Sequence, residues 1–257
     1  MPDYTYHFDD SVMSRFSENF ENRLGDNSGC HEQEHFDTLH MLFKKNHNGS
    51  MLDIGAGVGR HSMMAKDIVS EVVALEPDES RWADCHKAYH SEPNCLVFCQ
   101  TTGEYIEKNP DKRFDLIVVS MVLQHLATTN CQQLVSDVYN LLNRDGVAVF
   151  YTTHTLEKSK GYSFSGDNTR AFVPESEFNE YANTHPSEQK MGLPVRRFSR
   201  QELMATVEAV NLEPIYWRQT SYYKPAKVGF FAGRLNVDRK ELSSVGNSQF
   251  VVVKKKN

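Results

Sequence analysis

Along the chain, short runs rich in Val, Ile and Leu alternate with longer stretches in which apolar residues recur every three to four positions. The first pattern is that of a buried strand and the second that of an amphipathic helix. Seven strands are predicted: Ser50–Gly55, Glu71–Glu76, Cys95–Gln100, Phe114–Ser120, Gly146–Thr152, Glu213–Thr220 and Gln249–Lys254. Helical segments lie between the first five, at Arg60–Val69, Ser80–Tyr89, Gly103–Asn109 and Cys131–Leu142. A further helix, Ser199–Val210, precedes the sixth strand and opens on Ser199-Arg-Gln-Glu202, the spacing of a capping box. Repeated βα units of this kind predict an α/β domain on a parallel sheet.

Two regions break the rhythm. From His154 to Arg197 the chain is polar and carries Gly161, Gly166, Pro174, Pro186, Gly192 and Pro194. A connection of that length predicts a functional lid or a disordered insert. Before Ser50 a looser helical pattern places Phe16, Phe20, Leu24, Phe36, Leu39, Met41 and Leu42 on apolar positions. The expected organisation is an N-terminal helical cap over residues 1–48, packed on a sheet edge or over the site. The main domain then covers 49–257, with a lid insertion at about 154–197.

Composition narrows the class. The 257 residues, 39% of them hydrophobic, suffice for one large core and exclude a disordered chain. No run approaches the roughly 20 apolar residues of a membrane span. The start, MPDYTYHFDD, has neither a basic nor an apolar region of the signal-peptide kind. Twenty-eight basic against 34 acidic side chains give a net charge of −6, which argues against binding a nucleic acid backbone. The five cysteines, Cys30, Cys85, Cys95, Cys99 and Cys131, form no C-x-x-C pair. A reducing, cytoplasmic setting is therefore expected. Lys254, Lys255 and Lys256 read as a solvated tail.

The segment that carries chemistry is Met51-Leu-Asp-Ile-Gly-Ala-Gly-Val-Gly-Arg60, in which a strand ends at Asp53 and runs through Gly55, Ala56, Gly57 and Gly59 into a helix. Glycine is required where backbone approaches a ligand or takes positive φ. The spacing is Gly-x-Gly-x-Gly, one residue short of the dinucleotide fingerprint Gly-x-Gly-x-x-Gly, and this weakens a nicotinamide-dependent oxidoreductase reading. A second strand ends in Glu76, 23 residues after Asp53, where a carboxylate accepts hydrogen bonds from both hydroxyls of a ribose. Pro77 beside it offers a flat apolar surface to a base.

With Phe114-Asp-Leu-Ile-Val-Val-Ser120, Val122-Leu-Gln-His-Leu126 and Leu141-Leu-Asn-Arg-Asp-Gly146, these motifs resemble the class I S-adenosylmethionine-dependent methyltransferases. The resemblance covers about Ser50 to Thr152 well and the last two strands more loosely. It implies a Rossmann-like, seven-stranded, mostly parallel sheet with helices on both faces and an antiparallel last strand. It also implies S-adenosylmethionine as cofactor. The methionine part would lie against the turn of Gly55, Ala56 and Gly57, with Asp53 near its ammonium. Glu76 would hold the ribose, and Ser120 and Met121 would meet the amino-acid end through backbone. The family commonly bonds the adenine amino group with an aspartate after the third strand. Here Gln100-Thr-Thr-Gly-Glu104 stands instead, leaving Thr102, the backbone that follows at Gly103, or Glu104, unless these residues only start a helix.

His125 follows the fourth strand, at the sheet edge where ligands bind. It is the candidate general base, against a local packing role. Arg196, Arg197 and Arg200 suit a phosphate or carboxylate, or else form a solvated edge. Tyr4, Tyr6, Phe8, Tyr216, Trp217, Tyr222 and Tyr223 would wall an apolar pocket or pack in the core. Cys30, His31, Glu34, His35 and His40 match no metal-ligand spacing, and no metal is expected. Ser120-Met-Val-Leu lacks the Asn/Asp-Pro-Pro-Tyr/Phe of enzymes that methylate base amines.

The expected function is in-line methyl transfer to a small molecule by a monomer or homodimer. The alternatives are methylation of a protein or RNA side group, and cofactor binding without turnover.

Overall fold

The structure, a computed structural model, describes residues 33–155, 161–164, 172–185, 188–189, 191–221 and 247–256. In chain order the elements are α1 (Gln33–Lys45), β1 (Ser50–Ile54), α2 (Arg60–Ala65), β2 (Glu71–Leu75), α3 (Glu79–Tyr89), β3 (Cys95–Phe98), α4 (Thr102–Lys108) and β4 (Phe114–Ser120). Then come a 3₁₀ turn (Leu123–His125), α5 (Thr128–Leu141), β5 (Leu142–His154), β6 (Gly161–Phe164), α6 (Glu175–Ala182), β7 (Pro194–Arg197), α7 (Arg200–Glu208), β8 (Leu212–Ser221) and β9 (Asn247–Lys255).

All seven predicted strands form one sheet in the order β3-β2-β1-β4-β5-β9-β8. β1 to β5 pair parallel, and β9 runs antiparallel to both β5 and β8. The inner strands are apolar on successive residues because both faces are covered, as parallel sheets require. Leu52, Ile54, Ile117 and Val119 face α5 and α7 through Leu134, Val135, Leu203 and Val207. Met51, Leu116, Val118 and Val149 meet Leu39 and Phe43 of α1 and Ala65 of α2 on the other face. Chain order reverses between β1 and β4, so a crevice opens outside their carboxyl ends, where ligands bind in open α/β folds.

The insertion expected between His154 and Arg197 contains structure of its own. β6 and β7 form a separate antiparallel pair, and α6 lies between them in sequence. Tyr162 packs on Phe178, with ring centroids 5.0 Å apart, and Phe164 packs on Tyr181 at 4.4 Å. Of the cap, only α1 falls within the described residues. It buries Phe36, Leu39 and Leu42 but leaves Met41 exposed, contrary to its apolar assignment. Tyr4, Tyr6, Phe8, Phe16, Phe20, Leu24, Cys30, His31, Tyr222 and Tyr223 lie outside the described residues. Lys254 and Lys255 belong to β9 instead of a tail; Lys254 meets Glu213 at 3.3 Å.

Candidate functional site

The three alternate glycines serve different ends. Each has positive φ: 66° at Gly55, 58° at Gly57 and 85° at Gly59. A Cβ on Gly55 would overlap the Val122 side chain, and one on Gly59 would overlap the Tyr89 ring and come within 2.8 Å of Cys85 Sγ. These two are packing requirements. Only at Gly57 would a Cβ meet nothing within 4 Å, so the loop opens to the crevice at that residue.

The amides of the loop are turned inward. The N–H groups of Gly55 and Ala56 both donate to the Leu75 carbonyl, at 2.8 and 3.0 Å. The Gly57 N–H donates to Glu76 Oε2 at 2.7 Å. The loop therefore offers a ligand its shape and its Gly57 surface, since these three donors are already spent.

Glu76 is almost wholly buried at the end of β2, and its Oε1 accepts from the Asp78 N–H at 3.0 Å. Each oxygen thus uses one lone pair on backbone and keeps another. Burial pushes its pKa up, opposed by Arg81 and by the two backbone donors. Pro77 beside it is half-buried.

Asp53, expected near an ammonium, is instead committed to α2. Gly59 has no side chain to cap that helix, and Asp53 Oδ2 accepts from Ser62 N–H at 3.2 Å and Ser62 Oγ at 2.8 Å in its first turn. Its Oδ1 is buried without a hydrogen-bond partner and lies 3.8 Å from His61 Nδ1. Burial pushes the Asp53 pKa up to about 6.

At β3, Thr101 caps α4, not Thr102. Glu104 Oε2 accepts both the N–H and the Oγ1 of Thr101 in a reciprocal capping box. That commits Glu104 to the helix start. Thr102 is buried, and Gly103 is exposed with open space at its Cα.

Ser120 ends β4 opposite Tyr151, and Met121 donates its N–H to the Tyr151 carbonyl at 2.7 Å. Met121 has φ 57°, a conformation that a non-glycine residue holds only where its surroundings enforce it. His125, in the next turn, has both ring nitrogens engaged: Nδ1 with the Pro194 carbonyl at 2.7 Å and Nε2 with Gln124 Nε2 at 3.2 Å. A neutral ring protonated on Nδ1 satisfies both, and burial lowers its pKa to about 4. Gln124 Oε1 accepts from Thr152 Oγ1 at 2.9 Å, so a directed chain joins β5, the turn and β7.

The arginine cluster divides, for Arg196 is buried, Arg197 half-buried and Arg200 exposed. Arg196 is buried, its guanidinium over the Phe198 ring at 4.4 Å and Nη2 3.6 Å from Glu202. Arg197 lies over Phe172 at 5.8 Å, and Arg200 over Trp217 at 4.4 Å. Trp217 also donates to Gln249 Oε1, and Tyr216 is half-exposed on the edge strand, so neither walls the crevice. Among the described residues no group of three side chains suits a metal ion, and no helix is long and apolar enough to cross a membrane.

His35 and His61 make a buried pair that the sequence did not single out as such. Both nitrogens of His35 are enclosed without a partner, and each such group costs about 1–3 kcal/mol. Burial lowers the His35 pKa to about 3 and that of His61 well below its ordinary value. The unfolded chain therefore takes up the His35 proton first. The stability tied to its neutral form is complete above pH 6.5 and is lost as pH falls toward 3. Urea unfolding at pH 7 and pH 5 should show His35→Phe losing about 2 kcal/mol less than the wild type. Equal losses would contradict this placement of His35. Asp53 acts in the opposite sense but is common to both proteins.

Residues 52–150 match a family model described as a methyltransferase domain. Among curated proteins nothing matches. Among solved structures, the chain is similar to the 1,6-didemethyltoxoflavin-N1-methyltransferase of Burkholderia thailandensis, bound to 1,6-didemethyltoxoflavin and S-adenosylhomocysteine. Its TM-score is 0.61 at 14% identity, over 96% of this chain and 86% of that one. It is also similar to the N-methyltransferase NodS of Bradyrhizobium japonicum in complex with S-adenosylhomocysteine, with TM-score 0.56 at 12% identity over 90% of each chain. These likenesses bear on the fold.

Proposed function

From the methyltransferase domain matched over residues 52–150, we propose that this chain is a class I S-adenosylmethionine-dependent methyltransferase whose methyl acceptor is a small molecule held beneath the insertion of β6, α6 and β7. The observation that carries this is where the insertion sits. His125 holds the Pro194 carbonyl, and Thr128 at the start of α5 bonds Asn179 Oδ1 through its N–H at 2.9 Å and Glu175 Oε1 through its hydroxyl at 3.0 Å. The insertion is thus fastened to the segment after β4, at the carboxyl edge of the sheet. An open groove for RNA or protein would need that edge clear, and it would need cations free for phosphate. Arg196 is buried and Arg197 is laid on an aromatic ring, which leaves Arg200 alone exposed among the three. A small heteroaromatic acceptor bound by the Burkholderia relative is in keeping with the reading.

The residues fit the cofactor: Glu76 has lone pairs for a ribose, Gly57 opens where a Cβ would fill the space, and Asp53 brings a buried negative charge beneath the loop. When bound, S-adenosylmethionine supplies an electrophilic methyl on a sulfonium. Glu76 would orient the ribose, while Ser120 and Met121 would present backbone to the amino-acid end. Thr102 and Gly103 would border the adenine. The insertion would exclude water and hold the acceptor over the cofactor's methyl group. His125 serves the insertion through Pro194. Acting as a base would require Nε2 to part from Gln124, so the acceptor's own nucleophilicity carries the step.

Incubation with S-adenosylmethionine and a panel of phenols, heteroaromatic amines and thiols, read by mass spectrometry, tests this. We expect one panel class to gain a methyl group in step with S-adenosylhomocysteine release. Methylation of added RNA or protein, with none on the panel, would overturn it.

A further inference from the structure

One side chain of α1 packs against both β5 and α2. His35 is fully enclosed and lies flat on Tyr151, with ring centroids 4.1 Å apart and planes at 13°. It stands edge-on to His61, at 5.7 Å and 81°. Phe36 and Phe250 complete the surrounding rings, each 5.5 Å from His35.

Each of the two contacts leads to a different part of the site. Tyr151 holds the Met121 N–H through its carbonyl and so fixes the left-handed residue that follows β4. His61 stands in the first turn of α2, against the unpartnered Oδ1 of Asp53. The other oxygen of Asp53 ties that turn to β1 and thereby sets the glycine loop. None of the ring contacts of His35 reaches Glu76 or the capping box at Thr101; Glu76 meets the glycine loop through the Gly57 N–H and is held from its own side by the Asp78 N–H.

We propose that His35 is a positioning residue for the amino-acid end of the cofactor, acting through Tyr151 on Met121 and through His61 on Asp53 and the glycine loop. The proposal rests on the reading that this edge holds S-adenosylmethionine. It follows that removing the ring loosens the amino-acid subsite more than the adenosine subsite, where Glu76 keeps its Asp78 donor.

The test is titration of the full chain with two ligands. S-adenosylhomocysteine carries the amino-acid end, and 5′-methylthioadenosine shares its adenosine and sulfur but lacks that end. His35→Ala should weaken S-adenosylhomocysteine about tenfold, within the usual range of coupling between sites, and leave 5′-methylthioadenosine within about twofold. His35→Phe keeps a ring on Tyr151 and should restore the affinity. His35→Leu fills the volume without an aromatic face and replaces His35→Ala if that variant does not fold. Equal weakening of both ligands would reduce His35 to general packing and overturn the proposal. Unchanged S-adenosylhomocysteine affinity in a folded variant would do the same. Glu76→Ala should lose both ligands, which keeps the two readings apart. If the wild type binds neither, the proposal falls with the reading beneath it.

Discussion

Replacing Glu76 with alanine should weaken S-adenosylhomocysteine binding by about two orders of magnitude in a protein that still folds. Hydrogen bonds to a charged group contribute about 1.5–3 kcal/mol each, and 1.4 kcal/mol is a factor of ten. Glu76 has one free lone pair on each oxygen, and so two such bonds to give. The fold survives because the substitution also removes a buried charge whose ionised form burial disfavours. The Gly57 and Asp78 N–H groups lose their acceptor, and water entering the space left by the carboxylate can replace it. Glu76→Gln keeps one acceptor oxygen and should fall between the two. Calorimetric titration reads all three proteins, and an unchanged affinity in Glu76→Ala would remove the ribose assignment.

Two glycines separated by one residue should fail in opposite ways. Gly59→Ala drives a methyl group into the Tyr89 ring and against Cys85 Sγ at φ 85°. Neither neighbour yields cheaply, because both are buried in the core beneath α2. Overpacking of this kind, with the cost of positive φ, should remove about 3 kcal/mol of stability and lower Tm by about 10 °C. Gly57→Ala pays only the backbone cost, about 1–2 kcal/mol, and should fold. Its methyl group projects into open space at the crevice and should cut cofactor affinity more than tenfold. Thermal melts and titrations on both variants check the contrast. If Gly57→Ala bound as well as the wild type, the loop would be a turn and nothing more.

The strands were readable because inner parallel strands are buried on both faces, and their apolar runs stand out against polar helices. The insertion was not. Gly161-Tyr-Ser-Phe164 and Pro194-Val-Arg-Arg197 are four residues each, too short to show a period, and both sit among glycines and prolines. Arg196 read as solvent-facing on charge alone, while its burial depends on the faces of Phe198 and Tyr162, which the fold brings from elsewhere. At the site, the glycine loop and Glu76 were legible in outline. Which glycine faces the crevice was not, because the answer rests on Val122, Cys85 and Tyr89, distant in sequence. Asp53 likewise found its partner nine residues on, in Ser62. Thr101 and Glu104 carry the capping-box spacing in plain view, one residue before Thr102. His35 had no local mark at all, since its rings come from β5, β9 and α2.

The most direct measurement is calorimetric titration of the wild-type protein with S-adenosylhomocysteine, run beside NAD under the same conditions. The account predicts saturable binding of S-adenosylhomocysteine to one site per chain and no heat of binding from NAD. Binding of NAD with none of S-adenosylhomocysteine would contradict the assignment of the glycine loop and Glu76.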